Sequence, residues 1–170
     1  MKEPRELPGT PLSREEMEGV THVRAEPSIR YAWSIGIAMT RFLDELRQGR
    51  FIGRECHRCA RILFPPRMFC EQCFRPTNAW RMLENTGSVE TFSVSYLDTD
   101  ANRIEKPILV GVISIDGASP KMGLMHYYNE VEPDDLRIGM AVEAIWKEPA
   151  EREGAVTDIK YFRPISGDRS

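Results

Sequence analysis

The sequence predicts a mainly β fold with an N-terminal α-helical segment, in which a small four-cysteine ribbon precedes a closed five-stranded barrel. Three observations predict it. Two Cys-x2-Cys pairs, Cys56/Cys59 and Cys70/Cys73, stand ten residues apart. One stretch with strong helical periodicity comes before them. Five short β-like runs, separated by turn signals, come after them.

Residues 1–29 read as an N-terminal arm. Pro4, Pro8, Pro11 and Pro27 interrupt it, and its only local signal is Ser13-Arg14-Glu15-Glu16, which has the form of a capping box opening a short helix. Segment 30–50 carries the main helix, over 31–48. Ile35, Met39, Phe42, Leu43 and Leu46 fall on one face, Arg47 lies in the last turn and Gly49 provides the stop. Tyr31, Trp33 and Ile37 widen the apolar surface, so the helix can cover a core and also face a partner.

Residues 51–83 form the ribbon and 84–165 the barrel, with a polar tail over 166–170. The expected strands are 87–97, with Phe92, Val94 and Tyr96 on one face; 108–115, a nearly continuous apolar run of the kind buried on both sides; 121–128, after the turn Gly117-Ala118-Ser119-Pro120; 140–147; and 156–162. Residues 134–138 make a short helical or turn segment between the third and fourth strands. Five such strands suit an OB-fold.

The bulk composition bounds the function. Of 170 residues, 41% are hydrophobic and 29% charged, as in ordinary globular proteins. No apolar run approaches the roughly 18 residues of a membrane span, and the first residues lack the apolar core of a secretory signal. A cytoplasmic protein is expected, and in that reducing compartment four cysteines point to a metal rather than to disulfides. The net charge of -3 argues against a dedicated nucleic-acid binder.

Two residues between paired cysteines allow a tight turn that presents both sulfurs to one ion. Cys56, Cys59, Cys70 and Cys73 thus supply the four thiolates of a tetrahedral, rubredoxin-like zinc ribbon. Iron could bind the same donor set, notably in recombinant material. Four protein ligands leave no open position, so the metal is structural. His57, inside the first knuckle, reads as a surface residue. Six arginines (50, 54, 58, 61, 67 and 75) surround the cysteines against Glu55 and Glu71. They either screen the thiolates or form a landing site for phosphates or an acidic partner.

No other constellation carries chemistry. His22, His57 and His126 are scattered, and there is neither a nucleophile elbow nor a phosphate-binding glycine loop. His126-Tyr127-Tyr128 reads as a partly buried aromatic group in a strand.

A helix, a four-cysteine ribbon and a five-stranded barrel in that order resemble the zinc-ribbon plus OB-fold family of thiolase-associated acyl-CoA-binding accessory proteins. The resemblance rests on Phe42 to Phe51, on Gly53-Arg54-Glu55-Cys56-His57-Arg58-Cys59, and on Phe64-Pro65-Pro66-Arg67 before Cys70-Glu71-Gln72-Cys73. In the barrel it rests on residues 86–92, 107–113 and 138–142. It spans about residues 30–164; the N-terminal arm departs from it, since shorter members begin near the helix. The resemblance implies a non-catalytic subunit that binds acyl-CoA and scaffolds a thiolase, an HMG-CoA synthase or a thiolase-like aldolase. Arg54, Arg58, Arg61 and Arg67 are then candidates for the coenzyme A phosphates, with Arg67 equally suited to a hydrogen bond inside the ribbon.

Single-stranded nucleic acid is the alternative ligand, because Phe92, Tyr96, Tyr127 and Trp146 could stack on bases. The acidic stretch 128–153, with eight carboxylates against Arg137, Lys147 and Arg152, opposes it. A stand-alone thioesterase ranks below both, for want of a catalytic constellation.

Overall fold

The computed structural model describes Gly9, residues 12–20 and residues 28–165. His22, the tail over 166–170 and much of the expected arm lie outside the described residues. The chain divides into two compact units, one ending at Trp33 and one beginning at Ser34.

In the first unit, helix α1 spans Arg14–Glu18 and starts on the capping box expected from sequence. The Glu16 N–H donates to Ser13 Oγ (3.3 Å), and the Ser13 N–H donates back to Glu16 Oε2 (2.7 Å).

The second unit opens with α2, Gly36–Arg47. It starts later than the periodicity suggested, because Gly36 takes a positive φ of 75° and its N–H turns back onto Ser34 Oγ. Tyr31 and Trp33 therefore precede the helix and are exposed. The stop is as expected. Gly49 sits at φ 71°, its N–H bonds the Leu46 carbonyl and the Arg50 N–H bonds the Glu45 carbonyl, which is a Schellman closure. A Cβ at Gly49 would also meet the Arg152 guanidinium at 2.5 Å. The buried face is Ala38, Phe42, Glu45 and Leu46, whereas Ile35 at the expected start of the stripe remains exposed.

Strands β1 (Phe51–Cys56), β2 (Arg61–Leu63) and β3 (Ala79–Leu83) form an antiparallel sheet in the order β2-β1-β3. Then β4 (Thr86–Leu97), β5 (Arg103–Ile115), β6 (Gly123–Tyr128), β7 (Ala141–Trp146) and β8 (Ile159–Pro164) close a barrel in the order β4-β5-β6-β8-β7. Among the described residues the only parallel pair is β6 with β8. Five strands with one crossover of this kind are an OB-fold, as the strand count predicted.

Two local expectations are corrected. β5 is not buried on both sides: Leu109, Gly111, Ile113 and Ile115 point inward, and Ile108, Val110 and Val112 are half-covered on the outer face. The apolar run reflects a barrel wall, not a central strand. β8 starts at Ile159 because residues 156–158 form a 3₁₀ turn. Residues 134–138 take the turn form of the expected helical or turn segment, closed by the Leu136 N–H on the Glu132 carbonyl and plugged by the buried Leu136 side chain.

A bulge at Glu90 exchanges the inward parity of β4. Val89 pairs with Ile113 but Thr91 pairs with Val112, so Gly87 and Val89 face inward before the bulge, Phe92 and Val94 after it. Gly111 lies opposite, where a Cβ would come 2.0 Å from the Thr91 carbonyl oxygen. Only glycine lets the two strands approach that closely.

Ribbon and barrel share one core. Phe42 of α2 packs edge-on against Phe64 (5.6 Å between centroids), and Phe64 against Phe51 (5.3 Å). Phe51 reaches the barrel through Trp146 (5.0 Å) and Phe162 (6.3 Å, stacked).

Candidate metal centre and its surroundings

The cysteines sit where two turns meet at one end of the ribbon sheet. Cys56 ends β1 and Cys59 lies in the turn leading to β2, where Cys56 pairs with Arg61. Cys70 and Cys73 lie in the loop between β2 and β3. That loop is itself a small hairpin: the Thr77 N–H bonds the Met68 carbonyl, Phe69 bridges Pro76, the Cys70 N–H bonds the Arg75 carbonyl, and the Phe74 N–H bonds the Cys70 carbonyl.

All four sulfurs lie within 4.8 Å of one another, with Cys56 and Cys73 Sγ 3.5 Å apart. Thiolates held at about 2.3 Å around one tetrahedral ion stand about 3.8 Å from each other. The spacing therefore fits a single metal, and Cys56 and Cys70 are buried while Cys59 and Cys73 are half-buried. As bare thiols, the other three oppose the ionisation of Cys59. Cys59 is pushed up to about 12, first by the thiol of Cys73, then by desolvation and by Cys70 and Cys56. A divalent cation reverses that balance, which is the chemistry of a closed structural metal site.

The arginines around the site divide by what they already touch. Arg54 is buried: its Nε donates to Thr77 Oγ1 (2.7 Å), its Nη2 donates to the Thr77 carbonyl (2.5 Å), and its guanidinium lies 4.6 Å from the Trp80 ring centre. Arg61 is half-buried and pairs with Glu71 (3.0 Å). Arg67 is exposed and pairs loosely with the same Glu71 (3.6 Å), while its backbone carbonyl accepts from Thr77 Oγ1 (2.6 Å). Arg58 and Arg75 are exposed and make no ion pair among the described residues. His57 is exposed on the first knuckle, as expected, and offers no ligand atom to the sulfur cluster.

Two groups that sequence reasoning missed support this region. Glu45, on the buried face of α2, receives Arg41 (2.9 Å) and Arg50 (2.6 Å). Its signal was available: a carboxylate three residues after Phe42 with arginines at 41 and 50. Thr77, which links Arg54 to Arg67, gave no sequence signal.

The remaining candidates do not converge on a second site. His126 and Tyr128 point inward and Tyr127 outward, as alternation along β6 requires. The Tyr128 hydroxyl donates to the Val112 and Thr91 carbonyls (3.0 and 3.2 Å), and burial pushes its pKa up. Of the four proposed stacking aromatics, Tyr96 and Tyr127 are exposed, Phe92 is half-buried, and Trp146 packs on Phe51. An open groove of about 1210 Å³ runs along the barrel between Lys106, Glu132, Arg137 and Arg163 over a floor of Leu109 and Met140, with no residue of the ribbon in its wall. Among the described residues no helix is long and apolar enough to cross a membrane.

Comparison with known proteins agrees with this division. The rubredoxin-like zinc ribbon domain of ChsH2 matches residues 43–79, and the C-terminal OB-fold domain of ChsH2 matches residues 80–147. A DUF35 domain-containing scaffold protein of Methanocaldococcus jannaschii is 29% identical over 117 residues, covering 67% of this chain and 81% of its own. Another from Methanothermobacter thermautotrophicus is 26% identical over 117 residues, covering 66% and 84%. Among solved structures, a DUF35 protein of unknown function from Sulfolobus solfataricus superposes with a TM-score of 0.59 at 21% identity, over 76% of this chain and 87% of that one. The Ltp2-ChsH2(DUF35) aldolase superposes with a TM-score of 0.55 at 21% identity, over 79% and 98%.

Proposed function

The chain belongs to the ChsH2-type family of zinc-ribbon and OB-fold proteins, and from that premise we propose that it is a non-catalytic accessory subunit that scaffolds a thiolase-type enzyme and helps hold its acyl-CoA. The enzyme partner is a thiolase, an HMG-CoA synthase or a thiolase-like aldolase. The observation that carries this reading is the ribbon and barrel fused in tandem over 43–147 on one core. That tandem is the architecture of a chain whose solved relative is described as part of an aldolase. The curated relatives that cover two thirds of this chain are described as scaffold proteins, which supports the same role.

The metal in this reading is structural Zn2+, held by Cys56, Cys59, Cys70 and Cys73. Its chemistry is confined to folding the ribbon, because four thiolates leave no position for substrate. Arg58, Arg61 and Arg67 are the phosphate-facing candidates, and Arg54 supports them from inside the ribbon. Arg61 and Arg67 share Glu71, so an incoming phosphate would compete with one carboxylate for two guanidinium groups.

The test is co-expression with the thiolase-type enzymes of the same genome, followed by size-exclusion chromatography and acyl-CoA titration of the chain alone and of any complex. A stoichiometric complex that binds acyl-CoA more tightly than either part supports the reading. Absence of any such complex, or turnover of acyl-CoA by the chain alone, overturns it.

A further inference from the structure

Each cysteine knuckle is followed by a residue in the left-handed backbone region: Ala60 (φ 51°) after Cys59 and Phe74 (φ 55°) after Cys73. Glycine takes this conformation without cost, and a bulky side chain rarely does. Phe74 takes it with 81% of its surface exposed, so its ring gains almost nothing from burial within the chain. A strained backbone that presents an aromatic ring to solvent points to a contact made outside the chain.

The setting describes the contact. Phe74 lies at the tip of the 68–77 hairpin, which also exposes Phe69 (61%) and Met68 (36%). The metal-binding turn fixes this hairpin, so the apolar groups are offered on a rigid support. Arg67 and Arg75 flank them, Arg58 stands on the neighbouring knuckle, and the hairpin's single acid, Glu71, is already shared by Arg61 and Arg67. A surface that fits this arrangement has an apolar socket for the ring and carboxylates around its rim. A polyanion fits less well, because the net charge of -3 and the acidic stretch 128–153 would repel its length.

We propose that Phe74, with Phe69 and Met68, is the aromatic anchor by which the metal ribbon docks on a protein partner that presents an apolar socket rimmed by carboxylates. The inference rests on the accessory-subunit reading and names the surface that reading leaves open.

Phe74→Gly tests it, since the substitution removes the ring and also relieves the backbone. The full-length variant is expected to keep its metal content, to melt at or above the wild-type temperature, and to bind the thiolase-type partner at least about tenfold more weakly. Tyr127→Ser, on the outer face of the barrel, is expected to bind as wild type does. If wild type forms no complex with a thiolase-type enzyme, the accessory reading fails and takes the anchor with it. If wild type binds and F74G binds equally well, only the anchor fails. Loss of metal or a lower melting temperature in both F74G and Phe74→Ala would make the ring structural and overturn the proposal. So would salt-sensitive binding of an oligo-thymidine strand by wild type that F74G abolishes.

Discussion

Arg54 and Thr77 are joined twice, Nε to Oγ1 at 2.7 Å and Nη2 to the carbonyl oxygen at 2.5 Å, and Thr77 passes the link to the Arg67 carbonyl. The strand that ends in the first metal ligand is thereby fastened to the loop that carries the second knuckle. Arg54→Lys keeps the charge but loses the fork and the flat contact with Trp80. It is expected to cost about 2–3 kcal/mol and to speed metal transfer to a chelator. Thr77→Val should repeat the effect more weakly. An Arg54→Lys protein with wild-type melting and weakened acyl-CoA binding would instead place Arg54 at the ligand.

Removal of the metal should be felt beyond the ribbon. Phe51 and Phe64 belong to the ribbon sheet and its following loop, yet they pack on Phe42 of the helix and on Trp146 and Phe162 of the barrel. Cys70→Ser is expected to bring bound metal from one ion per chain to nearly none and to lower the melting temperature of the whole second unit. Metal analysis and far-ultraviolet circular dichroism check both. A barrel transition that stays at the wild-type temperature would show the ribbon to be an independent module.

The same aromatic chain predicts a cooperative fold. Phe51→Ala removes a fully buried ring from the junction and is expected to cost about 3–5 kcal/mol. Denaturant unfolding followed by tryptophan fluorescence and by circular dichroism should still give coincident transitions, displaced to lower denaturant.

What the sequence revealed and what it hid follow from the range of the interactions. The knuckles, the Gly49 stop, the Ser13–Glu16 cap and the five strands depend on residues near each other in the chain, and each was legible. The bulge at Glu90 was not, because it exists only in the pairing of Val89 and Thr91 with Ile113 and Val112. The outer face of β5 was misread because Ile108, Val110 and Val112 are apolar without being core. Arg54 looked like its neighbours in the arginine cluster; only Thr77, 23 positions away, distinguishes it.

Asp158 is buried, and its carboxylate accepts the N–H groups of Glu153, Gly154 and Ala155 at 3.0, 2.7 and 3.1 Å. Desolvation alone would raise its pKa, but the three backbone donors outweigh that and hold it below the ordinary carboxylate range. The folded form therefore prefers the ionised group. Its contribution is complete above the unfolded value of about 3.9 and is lost as the pH falls through the lower folded value. Asp158→Asn is expected to lower stability at neutral pH and to flatten the acid limb of a stability–pH curve. An unchanged acid limb would mean that the loop re-forms around water instead.

His126 governs the milder acid range. It lies inside the barrel, 6.0 Å from the Phe162 ring, and its Nδ1 has no hydrogen-bond partner among the described residues. Desolvation pulls its pKa below the ordinary 6.5, against a weaker opposite pull from the Val156 and Tyr127 backbones. The unfolded chain takes up a proton near 6.5 that the folded chain refuses until lower pH, so acid favours unfolding through this group. Its stabilising effect is complete above about 6.5 and disappears as the pH falls through the folded value, with a slope of at most about 1.4 kcal/mol per pH unit. Denaturant midpoints measured between the ordinary histidine and carboxylate ranges should fall in wild type. They should stay level there in His126→Gln, whose side chain keeps a similar length and does not titrate. A wild-type curve that is flat in that interval would mean that water reaches Nδ1 and solvates the charged ring.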